Sequence, residues 1–379
     1  MRNRSEYFRN RKFKVSEQTN HWKNNWRNGA LRLLERILIR GNVSDLLGGN
    51  LSHISHLPEV NMQLKSLNKV KDGEILPELR ISPVGSNFSV KLNEVLQPQF
   101  LLELESLKVD VRSGLAQIDS GFVIDSTLVQ WQRLLFRGGM SHSVARLSKK
   151  LPSKSGIWTV LPFSPFYFHT LVEDIPQVLA ARRFNKEVKI ITSSRNPKWT
   201  FELLNALGIE FETTKENAFR FEHYIAVTSP RGISSSNVAL IKSSVIAMIQ
   251  SSGERRLFLS RGKTLDRSDS ALEDEVMKLL STIGFESIDP STMSVSEQIE
   301  VFSTACAIVG LHGGAMTNII WCNEGTQVIE IYNHPYRTHD FARLAAACRH
   351  DYSCLDLRPD STNEEIARSI YELLTPEKE

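Results

Sequence analysis

His312, Gly313 and Gly314 follow the apolar run Ala307-Ile308-Val309-Gly310 and precede Ala315, Met316, Thr317 and Asn318. That pattern predicts a strand ending on a glycine turn that opens directly into a helix. Glycines let a ligand approach the backbone closely. A helix start offers unpaired N–H groups and partial positive charge, so a diphosphate suits it. His312 adds a donor for a phosphate or a sugar hydroxyl. The plainer alternative is a tight strand-to-helix turn with His312 as a local cap. Arg261 stands directly after a second strand-like run, Leu257–Ser260, with Lys263 and Arg267 close behind. Its guanidinium is a planar fork matched to phosphate oxygens. Ligands of open α/β sheets bind outside the carboxyl ends of the strands, where both groups are expected.

A third group lies in the first half, in Phe168-His169-Thr170-Leu171-Val172-Glu173-Asp174-Ile175-Pro176. On a helix His169 and Glu173 share a face, so the carboxylate can orient the imidazole. Such a pair serves as a general base or binds sugar hydroxyls; a surface His–Glu pair is the bland alternative.

These groups need strands and helices to hold them. Trp158–Leu161, Val188–Thr192, Tyr224–Val227, Arg256–Ser260, Ala307–Gly310 and Thr326–Ile331 read as strands. Helices are expected over about 167–183, from Trp199 to near Gly208, and over 237–252, 271–283, 295–305 and 362–374. Ser294 and Glu297 have the spacing of a capping box before the helix at 295. Alternation of strand and helix predicts an α/β fold with mostly parallel, doubly wound sheets. The break at Pro230-Arg231-Gly232 suggests a boundary. Three segments result: a basic helical extension (1–50), an acceptor-side Rossmann-like domain (51–230) and a nucleotide-sugar-binding Rossmann-like domain (231–379).

A length of 379 residues exceeds one usual core, and 41% hydrophobic with 23% charged residues is ordinary for a globular chain. The net charge of +3 is uneven: residues 1–50 carry a local +7, so the remainder is −4. That extension reads as a solvated arm, a contact with an anionic membrane surface, or a nucleic-acid arm. Four cysteines without zinc spacing fit a reducing compartment, and Cys306 reads as a small core residue. No apolar run reaches the length of a membrane span and the start lacks a signal-peptide h-region. A cytoplasmic location is expected, peripheral at the inner face of the membrane if the basic arm binds lipid.

Four blocks, FYFHTLVEDIPQVLAAR, RRLFLSRGKTLDRSDSALEDEV, residues 279–332 around LHGGAMTN, and HDFARLAAAC, together resemble glycosyltransferase family 61, which includes capsular polysaccharide biosynthesis proteins. The resemblance covers roughly residues 160–345. It implies a GT-B architecture of two facing Rossmann-like lobes with the site between them. It implies an inverting, metal-independent transfer from a nucleotide sugar, usually UDP-linked, to a glycan or lipid-linked glycan acceptor, with no cofactor. Nucleic acid is not among the expected partners. Position by position, Arg261, His312, Gly313 and Gly314 would hold the donor diphosphate, and Lys263, Arg267, Ala315 and Asn318 are expected to line the donor-nucleotide side as well. Glu297 and Gln298 would lie near the nucleotide and Glu330 near the ribose, with His169, Glu173 and Asp174 as catalytic candidates. Two positions depart from the family pattern. Thr170 stands where a Trp is usual, and Leu272 stands where an Asn is usual. A nucleotide-sugar-binding module without turnover is the rival reading. A dinucleotide-dependent oxidoreductase would want a G-x-G-x-x-G after the first strand, which is missing.

Overall fold

Consecutive strands of one sheet that a helix connects run parallel in this chain, as a crossover allows. The computed structural model describes residues 64–71, 79–81, 90–92, 96, 99–117, 123–124, 150–228, 232–249, 253–261, 270–332, 338–356 and 362–374. The basic extension 1–50, Lys263 and Arg267 lie outside the described residues.

The first sheet contains β1 (Leu64–Lys71), β4 (Gln99–Asp110), β5 (Ala116–Gln117), β6 (Val123–Ile124), β7 (Ser153–Leu161), β8 (Lys189–Ser193), β9 (Phe211–Thr214) and β10 (Ala218–Val227). Its order is β6-β5-β4-β10-β7-β8-β9, with β1 also on β4. A separate pair joins β2 (Leu79–Ile81) to β3 (Val90–Leu92). The β10-β7-β8-β9 half is parallel, but β4 pairs antiparallel with β10, β1 and β5. The sheet is therefore mixed, where the sequence pattern predicted mostly parallel strands. Only part of this is local: residues 111–115 turn β4 into β5 too tightly for a crossover, whereas β4 meets β10 across more than a hundred residues of chain. Asp110 holds that turn, accepting from the Arg112 N–H at 3.1 Å and the Ser113 hydroxyl at 3.0 Å.

Between β7 and β8 the chain forms α1 (Tyr167–His169), a π-helical turn (Thr170–Asp174) and α2 (Ile175–Phe184). Pro176 sits in the first turn of α2, where a missing N–H costs nothing. α3 (Lys198–Ala206) follows β8, and α4 (Ser235–Ser244) follows β10, capped by the Ser234 side chain. α4 ends at Ser244, earlier than the predicted 252.

The second sheet is wholly parallel: β11 (Arg255–Leu259), β12 (Phe285–Ile288), β13 (Ala305–Leu311), β14 (Gln327–Tyr332) and β15 (Asp351–Asp356), in the order β12-β11-β13-β14-β15. α5 (Ser270–Leu280), α6 (Val295–Ser303), α7 (Asp340–Cys348) and α8 (Asn363–Leu374) connect and cover it. The predicted capping box at the start of α6 is formed in both directions. After β13 the chain enters a 3-10 helix, Gly314–Trp321, rather than an α-helix.

Helices lie between the two sheets and share one apolar cluster. It runs from Leu161, Ile190 and Ile225 of the first sheet through Val178 and Ile241 to Leu257, Ile308 and Val328 of the second. Strand order in the second sheet reverses between β11 and β13, since β12 lies on the other side of β11. Arg261 and His312 follow those two strands, so both stand at the switch point where ligands of such sheets bind. Cys306 is exposed, not a core residue as its apolar setting suggested: it stands at the amino end of β13, before the covered stretch 307–311; the other three cysteines are buried. No described helix is long and apolar enough to cross a membrane.

Candidate active site

β11 and β13 are neighbours, so the residues after them meet. The Arg261 guanidinium donates through Nη1 to the His312 carbonyl oxygen at 2.7 Å. It lies flat over Gly313: a Cβ there would stand 2.7–2.9 Å from three of its atoms. Glycine at 313 is thus required by the arginine, not by backbone strain. Gly314 faces open space. Gly310, inside β13, lets Met316 and Leu259 pack over it, as a Cβ would come within 2.9 Å of the Met316 sulfur. Glu273 at the start of α5 braces the arginine loop. It accepts from the Arg261 N–H at 3.2 Å and the Ser260 hydroxyl at 2.9 Å. Burial raises the Glu273 pKa against these hydrogen bonds. Its neighbour Leu272 is fully buried with Phe258 and Val276, so the departure at 272 is a core-packing residue.

His312 is buried and built into a hydrogen-bonded chain. Its Nδ1 contacts Glu330, whose other oxygen accepts from the Tyr352 hydroxyl. Glu330 is fully buried beneath the histidine, on the adjacent β14, with both oxygens engaged. A carboxylate on Nδ1 fixes the ring and leaves Nε2 as the nitrogen presented onward. Tyr332 stacks on the ring at 5.1 Å and 25°, and Phe341 of α7 meets it edge-on at 5.3 Å.

In the first half, His169 Nδ1 lies 3.1 Å from Glu173 Oε2, so the predicted pair is formed. The π-helical turn carries Glu173, and such turns gather at functional sites. Burial raises the Glu173 pKa, the hydrogen bond and charge of His169 oppose it, and the Asp340 charge adds to it. Asp174 points inward beside a small cavity of about 20 Å³, which is also lined by Gly114, Thr159, Gln177 and Tyr224. Burial and then the Glu173 charge raise its pKa well above the carboxylate range. Thr170, where the family usually has Trp, is buried.

Aromatic contacts join the two groups. His169 packs edge-on to Phe168 at 5.2 Å, Phe168 to Phe341 at 5.4 Å, and Phe341 to His312. Tyr167 also crosses, donating its hydroxyl to Asn318 Oδ1 at 3.1 Å, which accepts from Trp321 Nε1 as well. The Asn318 amide nitrogen donates to the Ala315 carbonyl at 3.3 Å, so this side chain fastens the 3-10 helix to α1. Glu297 closes the capping box through both the N–H and the hydroxyl of Ser294. Gln298 Nε2 donates to the Pro290 and Met293 carbonyls at 3.0 and 3.1 Å. Both therefore shape the loop after β12. Sequence reasoning assigned no role to Phe341, Tyr332 or Tyr352: the two tyrosines come to His312 through the neighbouring strands β14 and β15, and Phe341 through α7.

Arg261 and the glycine turn at the switch point of one half are thus joined by aromatic contacts to the carboxylate-oriented His169 of the other. The model of the family described as Glycosyltransferase 61 matches residues 118–329, more than half of the chain. The chain belongs to that family and is a glycosyltransferase. No curated protein matches it.

Proposed function

We propose that this glycosyltransferase is an inverting, metal-independent enzyme that moves a sugar from a UDP-linked donor to a glycan or lipid-linked glycan in capsular or surface polysaccharide synthesis. The two sheets are read as the two lobes of a GT-B architecture, at 51–230 and 231–379. The observation that carries this reading is Arg261 lying over Gly313 and bonded to the His312 carbonyl at the switch point. There the guanidinium and the N-terminus of the 3-10 helix supply the positive charge that the departing diphosphate needs. His312, held by Glu330, faces the same phosphates or the sugar; Ala315 lies beside them. Glu330 acts in this reading by positioning His312, not by touching the ribose.

The acceptor hydroxyl attacks the anomeric carbon from the side opposite the nucleotide. Its oxygen forms the new bond as the bond from the anomeric carbon to the phosphate oxygen breaks. His169, oriented by Glu173, takes the hydroxyl proton. Asp174 is a weaker candidate, because burial and then the Glu173 charge raise its carboxyl pKa and so disfavour the ionised form a base needs. The membrane-surface role of residues 1–50 and a cytoplasmic location belong to the same proposal.

Purified protein incubated with UDP-, GDP- and CMP-linked sugars should consume one class of donor, with and without chelator. His169→Ala should lower turnover by about a hundredfold or more while donor binding persists. A donor that binds tightly but is never consumed by the wild type would sink the proposal.

A further inference from the structure

Among the described residues three large apolar side chains are exposed: Phe166, Phe184 and Ile246. Phe184 ends α2, ten residues after Asp174, and Ile246 lies beyond α4. Phe166 differs, because it touches one of the catalytic candidates. It is 49% exposed, and its ring meets the His169 imidazole edge-on at 6.0 Å and 84°. His169 thus sits between the exposed ring of Phe166 and the buried ring of Phe168.

The loop that carries Phe166 leaves the carboxyl end of β7, the edge of the parallel strands where ligands bind. It is held by a relay of hydrogen bonds. The Thr192 hydroxyl donates to the Leu161 carbonyl at 2.8 Å, and the Asn196 amide nitrogen donates to that hydroxyl at 2.7 Å. Asn196 Oδ1 accepts from the Ser164 N–H at 3.1 Å, and the Ser164 hydroxyl accepts from the Phe166 N–H at 3.2 Å. The Phe166 carbonyl then starts the helix, accepting from the Thr170 N–H at 3.1 Å. Thr192, Asn196 and Ser164 are buried. A buried polar relay is a costly way to hold an exposed phenyl ring, unless the ring must keep one position.

An aromatic face carries negative quadrupole and attracts positively polarised hydrogens. One face of a pyranose ring presents C–H groups of that kind. We infer that Phe166 is the stacking platform for a pyranose ring of the acceptor, setting its hydroxyl beside His169. The assignment to acceptor rather than donor rests on the proposed role of His169 as the acceptor-side base and on the phosphate grip lying in the other half.

The test is affinity for a panel of methyl hexopyranosides, titrated by saturation-transfer NMR with and without UDP, for wild type, Phe166→Trp, Phe166→Leu and Phe166→Ala. Wild type and the Trp variant should bind at least one pyranoside similarly. The Ala and Leu variants should bind it about tenfold more weakly, since leucine keeps the apolar bulk without the π-face. Stabilisation by UDP should be equal in all four proteins, which also shows that each folds. Undiminished affinity in the Ala or Leu variant would overturn the inference, as would the failure of every pyranoside to bind the wild type. Failure of the base assignment is read separately: His169→Ala would then keep full turnover whatever Phe166 does.

Discussion

His169, Arg261 and Asp174, the residues given roles in the proposed function, sit in different surroundings. Arg261 is partly buried and fastened to the His312 carbonyl, so its fork is aimed before any ligand arrives. Arg261→Ala should cut kcat/KM for the donor by about a hundredfold or more. Arg261→Lys should recover only part of that, because an ammonium is a point charge without the fork; steady-state kinetics with the donor varied measures both. Asp174 yields a stability prediction. Its folded pKa is raised, so between the ordinary aspartate value and the raised one the native state holds a proton that the unfolded state has lost. Stability from this group is therefore full at low pH and falls as pH rises through that window. Asp174→Asn should flatten the decline, read as melting temperature against pH; an unchanged slope would contradict the assignment.

Elements deliver these residues, and some of that delivery was legible in the sequence. The Gly-Gly turn, Arg261 after its strand, the His169–Glu173 spacing and the Ser294–Glu297 cap all depend on near neighbours in the chain, and all formed as predicted. The antiparallel pairing of β4 with β10 depends on residues over a hundred positions apart, which periodicity does not report. Type of helix was also hidden: Gly314–Trp321 winds as a 3-10 helix fastened by Asn318 to Tyr167 and Trp321. Gly313→Ala should fold normally, since only the flexible end of Arg261 must move, yet lose donor affinity as the guanidinium is displaced. Calorimetric titration with UDP beside a melting curve separates the two effects. Ser294→Ala should cost about 1 kcal/mol of stability by removing the α6 cap, seen in denaturant unfolding. His350, after α7, donates from Nε2 to the Ile319 carbonyl at 2.8 Å, tying α7 to the 3-10 helix.

Across the whole molecule the two sheets meet through helices and through the aromatic series His169, Phe168, Phe341, His312. Neither phenylalanine carried a signal in the sequence, because each is an ordinary apolar residue on a helix until the halves are brought together. That series puts the pair of the first half and the turn of the second in one packed neighbourhood, as the proposed site requires. The departures at Thr170 and Leu272 are both buried side chains. The central claim is that Arg261 and the turn at Gly313 grip the diphosphate of a nucleotide sugar. Ligands that bind the native state raise the melting temperature, so the most direct measurement is the thermal shift produced by UDP, GDP and CMP in wild type and Arg261→Ala. A nucleoside diphosphate should raise the melting temperature of the wild type and leave the variant unmoved. No shift in the wild type, or an equal shift in both proteins, would contradict the account.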